Sequence, residues 1–231
     1  MASAEVFELF PGLKLSVAVA HGIQGDTGYA EIEKRWQQAW AGASREASSY
    51  QNAQSHPRVA AWREAMGAIG VSGRKFPSSI ESLLRRALKD DQPFSINPLV
   101  DFYNTVSLGH VVPAGGFDLG ALERPLELRL TREGDTFHPL DGSSPERVEA
   151  GEVAYASGDE ILTRHFVWKQ SRRGLLDEST SSAFFVSEVL GAVDGGVAES
   201  VLDGFRSGLR EHFGVEPQTF LLHEEHASIA W

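Results

Sequence analysis

Two segments of this 231-residue chain hold residue types that could do chemistry together. The first is TRHFVWKQSRRG, residues 163–174, with Arg164, Lys169, Arg172 and Arg173 and no acid. His165, Phe166 and Trp168 are interleaved with these cations. On a continuous strand Arg164, Phe166 and Trp168 would share one face, and His165, Val167 and Lys169 the other. Aromatic faces beside cations suit stacking on an unpaired base and pairing with its phosphate. A core Trp with solvated basic neighbours fits the residues equally well.

The second segment is SINPLVDFYNTVSLGHVVPAGGFDL, residues 95–119. Asp101 and Asn104 lie about one turn apart on an expected helix that leads into Pro113-Ala114-Gly115-Gly116-Phe117-Asp118. Paired glycines let backbone approach a ligand and leave amide N–H groups unblocked. Composition alone favours the plainer reading, a tight turn feeding a strand with Asp118 as a turn residue. The tail His223-Glu224-Glu225-His226 has the wrong histidine spacing for H-E-x-x-H and follows an expected strand. It reads as an exposed polar tail, and neither metal nor cofactor is expected. A phosphate-binding loop, G-x-G-x-x-G after a strand and a G-x-S-x-G elbow are all missing.

The elements that position these segments follow from periodicity. Leu13, Leu15, Val17 and Val19 alternate as a half-buried strand. Tyr29, Ile32, Trp36 and Trp40 have helical spacing over 29–41, and the polar run 42–56 reads as loop or frayed helix. A helix is expected over 57–69, ended by Gly70. Ser78 and Glu81 form a capping box for the next helix. Asn97-Pro98 caps and opens another. From Pro113 short β-like runs dominate: LELRLT, DTFHPL, EVAYAS, ILTRHFVW and AFFVSEVL. A helix over 198–213 and a strand TFLLH close the chain. Helices flanking a strand-rich middle predict a single α+β unit over 1–231.

Composition narrows the function classes. A formal charge of −11 argues against indiscriminate binding to nucleic-acid backbone, and DNA is not an expected partner, although a local basic patch remains compatible. Zero cysteines exclude disulfides, cysteine catalysis and thiolate metal sites. No apolar run approaches the roughly 20 residues of a membrane span. The first ten residues lack a signal-peptide pattern, so a cytoplasmic protein is expected.

The order SSIESLLRR, INPLVDFYNTVSL, PAGGFDLGAL, LRLTREGDTFHPLDG, AFFVSEVL resembles the B3/B4 module of the phenylalanyl-tRNA synthetase beta subunit, and free-standing proteins built from that module. The similarity covers about residues 57–190. It implies an α+β B3/B4-like fold and an editing pocket that hydrolyses the ester of a mischarged tRNA, so tRNA and its amino-acid moiety become the implied partners. Three departures bear on the chemistry. Gly115 stands where the synthetase pattern has a histidine, about Trp168–Ser171 replaces a Gly-Gly-Glu run, and Glu188 falls at a small pocket residue. In a deacylase built on this scaffold Gly115 and Gly116 would donate to an oxyanion and His165 would relay a proton. Asn104 would hold the loop and Glu188 would grip the substrate ammonium. Phe117, Asp118, Trp168 and Ser171 would complete the substrate site. Arg164, Lys169, Arg172 and Arg173 would hold the RNA. Besides such a deacylase, a non-catalytic tRNA- or amino-acid-binding module and a partner subunit without an RNA role fit the chain.

Overall fold

The computed structural model describes residues 1–24, 29–90 and 92–230. In chain order the elements are α1 (Ala4–Leu9), β1 (Lys14–His21), α2 (Tyr29–Ala47), α3 (Pro57–Ala68), α4 (Ser79–Ala87) and α5 (Pro98–His110). Then come β2 (Ala114–Asp118), β3 (Leu126–Leu130), β4 (Thr136–Phe137), β5 (Glu146–Arg147), β6 (Val153–Ser157) and β7 (Glu160–Ile161). The last are β8 (Thr163–Arg164), β9 (Lys169–Gln170), β10 (Ser182–Val189), α6 (Val197–Phe213) and β11 (Gln218–Leu222).

An antiparallel sheet ordered β11-β1-β10-β2 forms the centre. The period of two in its strands sorts side chains to two faces. Ala18, Ala20, Ala183 and Phe185 meet the apolar stripes of α5 and α6, including Phe102, Val201, Phe205 and Leu209. Leu15, Val17, Val19, Phe117, Phe184 and Val186 meet Leu126, Leu128, Val153 and Tyr155 of a second sheet, ordered β3-β6-β7-β4-β5. The architecture is α+β, with helices against one face of the central sheet and a second sheet against the other.

Local chemistry explains the helix boundaries that position the site. Ser78 accepts from the Glu81 amide, and Asn97 accepts from the Val100 amide, satisfying first-turn donors of α4 and α5. Glu81 is fully buried and is held by Arg63 (2.9 Å) and Arg85 (2.5 Å). The 42–56 segment is more ordered than its polar composition suggests: α2 continues to Ala47, and Ala53–Ser55 forms a 3-10 turn. Ala43 and Ala47 are buried against α4 side chains, which extends that helix. The N-terminal residues form a short helix that buries Val6 and Phe7.

Two expectations about the central segments change. Gly115 and Gly116 lie in strand β2 rather than in a turn, paired to Val186 and Phe185. The 163–170 run is a tight hairpin rather than one continuous strand, with β8 and β9 joined through His165 and Phe166 at positive φ (44° and 60°). That turn breaks the expected alternation: Phe166 is buried at 1% exposure, whereas Arg164 and Trp168 are partly exposed. Among the described residues no helix is long and apolar enough to cross a membrane.

Candidate functional site

Beside the β2 edge of the central sheet lies a cleft of about 70 Å³, bounded by Gly115, Gly116, Tyr155, Trp168, Lys169 and Glu188 among others. Each wall has a sequence origin. On β10, Phe184, Val186 and Glu188 share the face opposite Phe185, so the same alternation that builds the core aims Glu188 between the sheets. Glu188 is 4% exposed and accepts a 2.7 Å hydrogen bond from the Tyr155 hydroxyl. Burial pushes its carboxyl up to about 7, against the opposing pull of the Tyr155 bond. Burial and the neighbouring Glu188 charge raise the Tyr155 phenol well above its ordinary range.

The two glycines play different parts. The Glu188 amide donates to the Pro113 carbonyl, which fixes the phase of the β2–β10 ladder. In an antiparallel pair the hydrogen-bonded positions alternate, so Gly115 bonds to Val186 and the peptide groups of Gly116 face outward. The Gly116 carbonyl accepts from the Gln170 amide at 2.9 Å. Its N–H faces the same outer side of the strand. A Cβ at Gly115 would meet nothing within 4 Å, whereas one at Gly116 would sit 2.6 Å from Leu176 Cδ1. Gly115 therefore leaves space beside the cleft, and Gly116 lets the strand pass Leu176.

The hairpin supplies the opposite wall. The Ser79 amide at the start of α4 donates to the Val167 carbonyl (2.7 Å), tying the turn to that helix. Trp168 packs edge-on against Phe76 (4.7 Å between centroids), and Phe76 also lies against His165 (3.7 Å). Lys169 reaches over Trp168 and Phe137, and Lys75 over Phe76. Cations and aromatic faces are thus grouped at the cleft's rim.

Other predicted site residues lie elsewhere. His165 is outside the cleft: its backbone N–H donates to Glu152, and its Nδ1 stands 3.5 Å from that carboxylate. Burial, with the Arg164 and Lys75 charges, lowers its pKa although Glu152 opposes this. Arg164 makes a forked contact to Glu152 (2.9 and 3.0 Å) and lies 3.5 Å from Glu146. Arg173 is 3.2 Å from Glu160. The acids that answer these arginines are distant in sequence, which the acid-free run conceals. Arg172 is exposed, and no ion pair is seen for it or for Lys169 among the described residues.

Asn104 is buried in α5 on the helix side of the sheet. Asp118 anchors the chain, accepting from Thr180 (2.9 Å) and the Gly120 amide (2.8 Å). Ser171 is buried and donates to the His138 carbonyl. Phe117 forms part of the cleft wall and packs on Tyr155 (5.3 Å). Sequence reasoning missed Tyr155 and Gln170. Tyr155 alternates with Val153 in EVAYAS, so a polar-tipped ring on a buried face was its available signal.

The B3/4 domain matches residues 61–194, more than half of the chain. Among solved structures, an N-terminal fragment of the phenylalanyl-tRNA synthetase beta subunit from Pyrococcus horikoshii is similar at 8% identity with a TM-score of 0.46. That alignment covers 96% of this chain and 53% of the other, so this chain spans about half the length of that fragment. No curated protein matches.

Proposed function

The chain belongs to the B3/4 domain family, and from that premise we propose that it binds the aminoacyl end of tRNA and hydrolyses the ester of a mischarged one. The observation that carries this reading is the meeting of Glu188, the Gly115–Gly116 edge and Trp168–Lys169 around one cleft. An aminoacyl ester offers an ammonium, a carbonyl and a terminal nucleotide. Glu188 is a buried carboxyl with no cationic side chain paired to it among the described residues, and a substrate ammonium would supply that charge. The outward Gly116 N–H is the oxyanion donor in this reading. Trp168 offers a stacking face for the terminal base, and Lys169 with Arg172 offers charge to its phosphates. Water adds to the carbonyl, the bond to the ribose oxygen breaks, and the products are a free amino acid and uncharged tRNA.

The cavity suggests a substrate class. Its roughly 70 Å³ is less than half of the roughly 150 Å³ of a cavity that accepts a benzene ring, which favours glycine, alanine or serine over an aromatic side chain. Single-turnover deacylation of tRNAs charged with small and aromatic amino acids tests the proposal. Release of the small amino acids faster than the aromatic ones supports it. Hydrolysis no faster than in buffer for every ester refutes catalysis.

A non-catalytic module that binds tRNA or an amino acid is the second reading. One observation favours it: among the described residues no imidazole borders the cleft, because His165 is turned toward Glu152. Tight, salt-dependent tRNA binding without ester hydrolysis would select this reading.

A further inference from the structure

At the far edge of the central sheet, β11 runs into a two-residue turn. The His223 amide donates to the His226 carbonyl (3.2 Å), and the His226 amide donates to the His223 carbonyl (2.9 Å). This reciprocal pair places both side chains on one face of a closed hairpin. Their rings stand 4.9 Å apart. Glu225, inside the turn, brings its carboxylate to the same place, and one ligand atom from each of the three lies within 4.8 Å of the others. A helical H-E-x-x-H pair reaches a metal through spacing. Here the hairpin brings i and i+3 histidines together instead.

We propose that His223, Glu225 and His226 form a binding site for a divalent late transition metal, with zinc its natural occupant. Two imidazoles and one carboxylate suit zinc, copper or nickel better than magnesium or calcium, which prefer all-oxygen sets. Bonds of about 2.0–2.2 Å allow ligand atoms to stand up to roughly twice that distance apart, so small rotamer changes close the observed group around an ion. The backbone bonds already hold the turn, which limits the ordering cost. Net charge −11 favours cation approach. Three protein ligands leave a fourth position for water or for a donor from another molecule. The site lies just past the end of β11, with His223 half-buried and Glu225 and His226 exposed, whereas the cleft borders β2 at the opposite sheet edge, so the metal takes no part in the cleft chemistry.

The test uses the full chain without an affinity tag, stripped of metal and titrated with Zn²⁺ by calorimetry and with Co²⁺ by visible absorption. One equivalent should bind, and Co²⁺ should develop the d–d bands of a low-symmetry site. Replacing an outer-shell partner of a metal site costs 10–100-fold in affinity, so loss of a ligand itself in His226→Ala should cost at least about tenfold. His223→Ala/His226→Ala should abolish the site while the far-UV spectrum stays unchanged. Glu225→Ala serves as the milder variant should the double one misfold. No stoichiometric binding, or equal binding by wild type and variants, overturns the proposal, since the metal would then sit on other histidines.

Discussion

The Tyr155 hydroxyl reaches from the second sheet to the Glu188 carboxyl of the central one, 2.7 Å away, in a buried hydrogen bond. The pair has a consequence for stability. Glu188 is pushed from the ordinary 4.5 up to about 7 by burial, so between these values the folded chain holds a proton that the unfolded chain has released. Stability from this group is therefore fully present below about 4.5, and declines as pH rises through about 7. The full loss is on the order of 3 kcal/mol. Urea unfolding of wild type and Glu188→Gln from pH 5 to 8 checks this. The difference between the two should favour Gln increasingly as pH rises, and parallel curves would remove the argument.

The two glycines should separate in mutation. Gly115→Val places a branched side chain in open space beside the cleft on a strand that accepts it. Folding should be retained while deacylation falls about 100-fold or more, the scale of losing a positioned transition-state contact. Gly116→Ala pushes a Cβ into Leu176 and toward Phe185. It should lower the melting temperature by about 2–8 °C, from an overpacking cost of about 1–2 kcal/mol. Thermal melts beside single-turnover rates distinguish the two effects, and loss of folding in Gly115→Val would contradict the placement.

Basic residues of one segment should divide by partner. Among the described residues Lys169 and Arg172 make no ion pair, although the Lys169 charge is felt at Asp141, so Lys169→Ala/Arg172→Ala should flatten the dependence of tRNA affinity on salt by roughly 1.4 to 1.8 in log–log slope. Arg164→Ala should leave that slope unchanged, because its charge is spent on Glu152. Instead it should destabilise the fold by about 1.5–3 kcal/mol, the scale of hydrogen bonds to charged groups. Filter binding at several salt concentrations, with urea melts, reads both. A slope change in Arg164→Ala would assign it to the RNA.

What could be read in the residues was what local chemistry writes there. Ser78 and Asn97 announced their helices because a cap needs only its own first turn. AFFVSEVL disclosed that Glu188 lay on an otherwise apolar strand, and alternation then fixed its face. The hairpin at 165–168 was hidden. Neither His165 nor Phe166 signals positive φ as glycine would, and tertiary burial of the Phe166 ring holds the turn. The ion pairs of Arg164 were equally hidden, because Glu146 and Glu152 arrive from β5 and the start of β6 through sheet pairing. Long-range pairing decided which of four cations remained available, and a linear reading counts all four alike.

Ligand binding should couple to the proton held on Glu188. Near pH 6 the carboxyl is largely protonated in the free protein, because burial raises it to about 7. An ammonium placed against it favours the ionised form, so binding must release a proton. The Tyr155 bond stays compatible with both states, since its hydroxyl donates to a carboxylate or to a carbonyl oxygen. Calorimetry with a non-hydrolysable aminoacyl-adenosine analogue in two buffers of different ionisation enthalpy measures the protons exchanged. At pH 6 more than half a proton should be released per ligand, whereas near pH 8 the sign should reverse, because an α-amino group of ordinary value about 7.7–8.0 takes up a proton to bind as an ammonium. Glu188→Gln should abolish this release and weaken binding of the amino analogue, while binding of the analogue lacking the amino group should change little. Equal losses for both analogues would show that Glu188 shapes the cleft without meeting the ammonium. Proton uptake at pH 6 would contradict the assigned charge pairing outright.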